Sequence, residues 1–230
     1  RCNYQPLVNH ALMGEALRRT DPKGRYVRDI FREDLFEPLK MSDTALGVRR
    51  DLQPRHVIPD LRGTLPVATP GRTKPGPHGL FEEEDAEMPH VGCISTGDDM
   101  WRFAEMLRRG GERDGARIVS PTTLQAARRN WTGDKENELY RWLALTMGST
   151  GYPAYIGLGF SLKGEKIVPS QYGTLTNVGT FGNNGAGSSI FWVDPVADVS
   201  FVCLTSGVMH EWANIGRFQR YSDMVACAIV

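Results

Sequence analysis

The chain has 230 residues, 40% of them apolar and 23% charged, enough for one domain with a sizeable core or two small ones and ordinary in composition for a globular protein. Lys plus Arg and Asp plus Glu balance at 27 each, so there is no net field to draw in nucleic acid or an anionic membrane surface. No stretch approaches the roughly 18 consecutive apolar residues of a membrane-spanning helix.

Taken in chain order, Val8–Arg19 places Val8, Ala11, Leu12, Ala16 and Leu17 on one helical face and ends in Arg18-Arg19 before Thr-Asp-Pro, a basic last turn followed by a stop. Arg25–Leu39 repeats the pattern, with Val27, Ile30, Phe31 and Leu35 on one stripe. From about Asp51 to His90, seven prolines and several glycines predict a long loop rather than a linker between independent domains. Its acidic run Glu82–Asp85 reads as solvated surface, not a metal site. Thr96 with Asp99 three residues on predicts a capping box. Met100, Phe103, Ala104 and Leu107 give the helix that follows an apolar face, and Gly110-Gly111 end it. Ser120-Pro121 opens another short helix.

From Tyr155 the pattern turns to β, with strands predicted over Tyr155–Leu162, Thr174–Phe181, Ser188–Val193 and Ala197–Thr205. A helix follows from about Glu211 to Ile229, its apolar positions Ile215, Phe218, Tyr221, Met224, Val225 and Ala228. Val199, Phe201 and Cys203 on one face and Val202 and Leu204 on the other make the last strand apolar on both sides, as in a sheet covered on both faces. Gly182-Asn183-Asn184-Gly185-Ala186-Gly187 forms a strand edge stripped of large side chains and carrying two amides, open to close approach by a ligand.

The five histidines (His10, His56, His78, His90, His210) are scattered without ligand spacing, so neither a metal nor another cofactor is expected. The four cysteines form no CxxC. Cys203 and Cys227 read as small packed hydrophobes, and a reducing, cytoplasmic compartment is favoured. The glycine-rich run resembles a phosphate loop in composition only, because strand both precedes and follows it, whereas a dinucleotide site runs from strand into helix. Gly-x-Ser-x-Gly is absent, which excludes an α/β-hydrolase elbow.

Five segments, in order, resemble the serine β-lactamase-like superfamily of class C β-lactamases, penicillin-binding DD-peptidases and family VIII esterases. Asn9–Gly14 is similar to the helix after the family's Tyr-x-Asn motif, and Phe36-Glu-Pro-Leu-Lys-Met-Ser-Asp-Thr44 to its "PLGM-x-DT" segment. Gly92–Phe103 is similar to "GG-x-x-STA-x-D", Gly157–Phe160 to the start of the C-terminal sheet, and Gly182–Pro195 to the Lys/His-x-Gly strand with its hairpin. The resemblance implies an α+β fold: an antiparallel sheet flanked by helices, plus a mostly helical subdomain. It divides the chain into a helical part over 1–150 and the strands and final helix over 151–230. By position, Tyr4 falls near the motif tyrosine, implying a general acid/base, although Pro6 stands at the asparagine position. Asn183, Asn184 and Gly185 fall on Lys/His-x-Gly as substrate contacts, and Ala186 on the residue whose backbone N–H helps hold the oxyanion. Asn183 donates a hydrogen bond but brings no charge, which suits esterase-like members better than carboxylate-bearing penicillins.

The family nucleophile is Ser-x-x-Lys, and none of the eleven serines has a lysine three residues on. The expectation is therefore a serine acyl hydrolase for esters or amides whose nucleophile lies upstream of Arg1. The present chain would then be its carboxy-terminal portion, inactive alone and partnered by the missing front part. The rival is a non-catalytic scaffold or binding protein that keeps the fold without the nucleophile.

Overall fold

The computed structural model describes residues 2–3, 5–57, 83–138, 141, 144–145, 148, 150–185 and 189–229. Helix α1 (Pro6–Thr20) starts on a proline, whose missing N–H costs nothing in a first turn, and ends on Arg18 and Arg19. Its apolar residues Leu7, Val8, Leu12, Met13 and Leu17 are all exposed, and Gly14 is its one buried residue. Helix α2 (Val27–Phe31) runs into a π-helical turn over Arg32–Phe36 and buries Val27, Ile30, Phe36 and, just beyond, Leu39. Arg25 closes the corner between α1 and α2, holding Asp21, Glu33 and Asp34 at 2.7, 2.9 and 2.8 Å.

A short pair, β1 (Ala45–Leu46) with β2 (Cys93–Ile94), brackets the proline-rich region, of which residues 58–82 lie outside the described set. Helix α3 (Gly97–Arg108) follows with Thr96 as its cap, Thr96 Oγ1 accepting the Asp99 N–H at 3.3 Å. The predicted box is only half formed: Asp99 does not reach back to Thr96 but accepts the Asp43 N–H at 2.8 Å and the Thr44 hydroxyl at 2.9 Å. Hairpin β3 (Glu112–Arg113) and β4 (Ala116–Arg117) leads to α4 (Pro121–Ala127). Ser120 caps α4 by accepting the Thr123 N–H at 3.0 Å, as its sequence predicts.

The main sheet is antiparallel, in the order β5 (Ser161–Leu162), β6 (Phe181–Gly185), β7 (Ser189–Asp194), β8 (Val199–Cys203). Of the predicted Tyr155–Leu162 strand only the last two residues form a strand, with Ile156 in an isolated antiparallel bridge to Ser161. Thr174–Phe181 is mostly turn, and the strand begins where that prediction ends, so the glycine-asparagine run is itself β6. Register pairs Gly182 with Trp192, and a Cβ on Gly182 would lie 2.1 Å from the Phe191 carbonyl oxygen. Only glycine lets the two backbones meet there.

Helices cover both faces of this sheet. On one, α3 contributes Ala104, Met106 and Leu107 to a core with Phe181, Val193 and Leu124, against which Phe191 and Val202 pack. On the other, α5 (Glu211–Cys227) sets Phe218 against Tyr172, Ile190 and Trp192, with Val199, Phe201 and Cys203 alongside. The fully buried Trp192 donates its indole N–H to Ser222 Oγ at 2.9 Å, which donates to the Gln171 carbonyl at 2.7 Å. Cys227 is exposed and Cys203 half-buried, so only the latter packs as expected.

The segment from Gln171 to Gly179 is irregular yet tethered throughout. Lys163 Nζ donates to the carbonyls of Gly173, Thr174 and Thr176 at 2.9, 2.8 and 2.6 Å. Asp223 accepts the Thr174 and Leu175 N–H groups at 2.7 and 2.9 Å.

Candidate functional site

One end of the sheet opens into a cleft of about 830 Å³. Asn183–Gly185 of β6, Ser189–Phe191 of β7 and Leu204–Ser206 after β8 line it on the sheet side. Opposite stand Cys93–Thr96 and Met100 at the start of α3, with Asp43, Leu52, Arg55, His56 and Val57 at the rim. β5 pairs with β6 only at Gly182 and Phe181. Asn183–Gly185 therefore keep one backbone edge without a strand partner among the described residues, which leaves main-chain groups available to an extended ligand.

Strand alternation separates the two amides that the sequence places side by side. Asn183 pairs with Phe191 and shares the α3 face, exposed in the cleft. Asn184 turns to the α5 face and donates Nδ2–H to Glu211 Oε1 at 3.3 Å. Tyr4 and Ala186 lie outside the described residues.

The α3 wall is built by Asp99, 4% exposed. Thr44 spends its hydroxyl proton on that carboxylate at 2.9 Å and thus accepts from Ser95, 2.7 Å away. Ser95 is consequently a donor in a structural chain, with no base positioned to take its proton among the described residues. Cys93 presents exposed surface, but desolvation around its sulfur pushes the thiol up to about 11, so the thiolate that would attack is scarce near neutral pH. At the rim Arg55 grips Asp43 through both carboxylate oxygens at 2.8 and 3.0 Å. These bonds hold the Asp43 carboxyl below the usual range and commit the Arg55 charge.

Helix α5 adds residues that reading its apolar stripe missed. Arg217 Nη2 lies 3.3 Å from Thr205 Oγ1, a cleft residue, and 2.8 Å from Asn214 Oδ1. Asn214 is fully buried, and its Nδ2 has no hydrogen-bond partner among the described residues. The available signal was Glu211-x-x-Asn214-x-x-Arg217, a polar stripe on a helix that directly follows the sheet. Among the described residues no three His, Cys, Asp or Glu side chains are grouped to hold a metal ion, and no helix is long and apolar enough to cross a membrane.

A family model described as Beta-lactamase matches residues 1–219. The chain belongs to the beta-lactamase family. Protein Rv1367c of Mycobacterium tuberculosis is 27% identical over 213 residues, covering 85% of this beta-lactamase-family chain and 47% of the relative. The chain thus spans about half the length of the curated relatives it matches. A solved beta-lactamase (Mb2281c) from Mycobacterium bovis superposes with a TM-score of 0.66 at 22% identity, covering 98% of this chain and 64% of that one. A penicillin-binding protein homolog from Caulobacter crescentus gives 0.68 at 22% identity over 97% and 58% of the two chains. For a family VIII carboxylesterase the values are 0.68, 19%, 96% and 58%. At these identities the likeness establishes the shared α+β fold.

Proposed function

We propose that the protein is a serine acyl hydrolase, an esterase or amidase working through an acyl-enzyme, and that this chain supplies one wall of its site. The observation that carries the reading is the edge of Asn183–Gly185 along the cleft, which has no strand partner among the described residues. A substrate laid against that edge meets main-chain N–H groups, and Ala186 next in line supplies one of them toward the oxyanion. Removing such a donor typically costs about 10²–10³ in rate. Asn183 hydrogen-bonds the substrate carbonyl, Tyr4 moves the proton, and a Ser-x-x-Lys from polypeptide outside this sequence attacks. The substrate class is a neutral ester or amide, because Arg55 is engaged by Asp43 and Asn183 carries no charge.

The test is p-nitrophenyl ester hydrolysis by the full-length protein. A pre-steady-state burst is expected, with loss of about 10²–10⁴ in turnover on Tyr4→Phe, the range for general acid–base groups. A non-catalytic scaffold is the second reading, favoured by the engaged hydroxyl of Ser95 in the cleft wall. Absence of both a burst and covalent labelling by a fluorophosphonate would establish that second reading.

A further inference from the structure

Glu211 stands behind the cleft wall rather than in it. It is the first residue of α5, half-buried, and its Oε1 accepts the only side-chain hydrogen bond that ties Asn184 of β6 to that helix among the described contacts. Asn184 lines the cleft and is followed by Gly185, which has no side chain of its own to hold the backbone in place. We propose that Glu211 is a positioning residue: by gripping the Asn184 amide it sets the strand edge on which the substrate's carbonyl is received. The proposal rests on the hydrolase reading of that edge.

The grip depends on a proton. An ionised carboxylate accepts a hydrogen bond about twice as strong as a neutral acceptor does. Burial raises the Glu211 carboxyl above the usual carboxylate range, opposed by the Asn184 hydrogen bond and by nearby His210. Tyr152, from the segment before β5, is the other titratable neighbour, its phenol raised by burial and by the charge of Glu211. Acidification through the Glu211 ionisation therefore loosens Asn184 before ordinary carboxylates titrate. Gln at this position still accepts the bond through its carbonyl oxygen, without charge, and Ala does not accept it at all.

The experiment compares wild type, Glu211→Gln and Glu211→Ala in the full-length protein with p-nitrophenyl acetate, alongside the pH dependence of the Asn184 side-chain amide signals by ¹⁵N NMR. At pH 8 the order wild type, Gln, Ala is expected in kcat/KM, with steps of roughly fivefold, the ratio separating charge-assisted, neutral and absent hydrogen bonds. Wild type should fall to the Gln level as Glu211 protonates. The Asn184 amide should titrate in wild type and not in Gln. Equal activity of Gln and Ala, or an Asn184 amide blind to pH in wild type, overturns the proposal. If no ester is turned over, the hydrolase reading fails, while the Asn184 titration still decides whether Glu211 grips it.

Discussion

The two ends of the main sheet are built on opposite terms. At the end where β7 turns into β8, Asp194 is 1% exposed and accepts four donors: Asn177 N at 2.8 Å, Asn177 Nδ2 at 3.0 Å, and Val196 N and Ala197 N each at 3.0 Å. The buried carboxylate is thus satisfied by the turn that follows it and by Asn177. At the other end Asn183 is exposed, Gly185 has no side chain and Leu204 is 39% exposed. Closing one end tightly leaves the other free to present backbone to a ligand without threatening the fold, which is how stable frames commonly carry sites.

The largest expected effect lies at the closed end. Asp194→Ala strands several buried donors and should cost about 3–5 kcal/mol, read as a lower midpoint in urea at unchanged slope. Burial by itself would raise the Asp194 pKa, but the hydrogen bonds from Asn177, Ala197 and Val196 outweigh it and hold the group below its ordinary value. Its stabilisation is thus complete above the unfolded pKa of about 3.9 and is lost as pH falls through the lower folded pKa. The stability gap between wild type and Asp194→Asn should shrink in that acid window and stay constant above it.

Between the two ends, Gly182→Ala forces β6 off β7 and should cost about 1–3 kcal/mol, the range for overpacking. It should also lower ester hydrolysis, because Asn183–Gly185 shift with the strand. The smallest stability effect is at the open end: Asn183→Ala should change unfolding by less than about 0.5 kcal/mol while reducing kcat/KM roughly tenfold through the lost carbonyl hydrogen bond. A large destabilisation by Asn183→Ala would erase the contrast drawn between the ends.

Much of the frame was legible in the sequence because it depends on local chemistry. Ser120-Pro121 and Thr96 cap their helices by side-chain acceptors that need no tertiary partner, and the hairpin around Asp194-Pro195 follows from alternation and a turn. Legibility ended where a partner decides. Periodicity marks an apolar stripe on both α1 and α3, yet α3 buries Ala104, Met106 and Leu107, whereas α1 leaves Leu12 65% exposed. A stripe announces a face and is silent on what covers it. Glycine and asparagine are poor strand formers, so Gly182–Gly185 read as the edge beyond a strand when they belong to the strand itself. Its alternation then sends Asn183 and Asn184 to opposite faces. Asp99 looked like half of a cap but serves Asp43 and Thr44, some 55 residues earlier in the chain, a separation beyond any local pattern.

The tethered stretch between Gln171 and Gly179 has one further consequence. Leu175, 58% exposed, is a side chain that chymotrypsin accepts, in a segment without regular strand or helix. A protease must nonetheless draw several extended residues into its own groove, and here the carbonyls are held by Lys163 and the amides by Asp223. Surface exposure and susceptibility to nicking therefore part company: this stretch should survive digestion until the sheet beneath it opens.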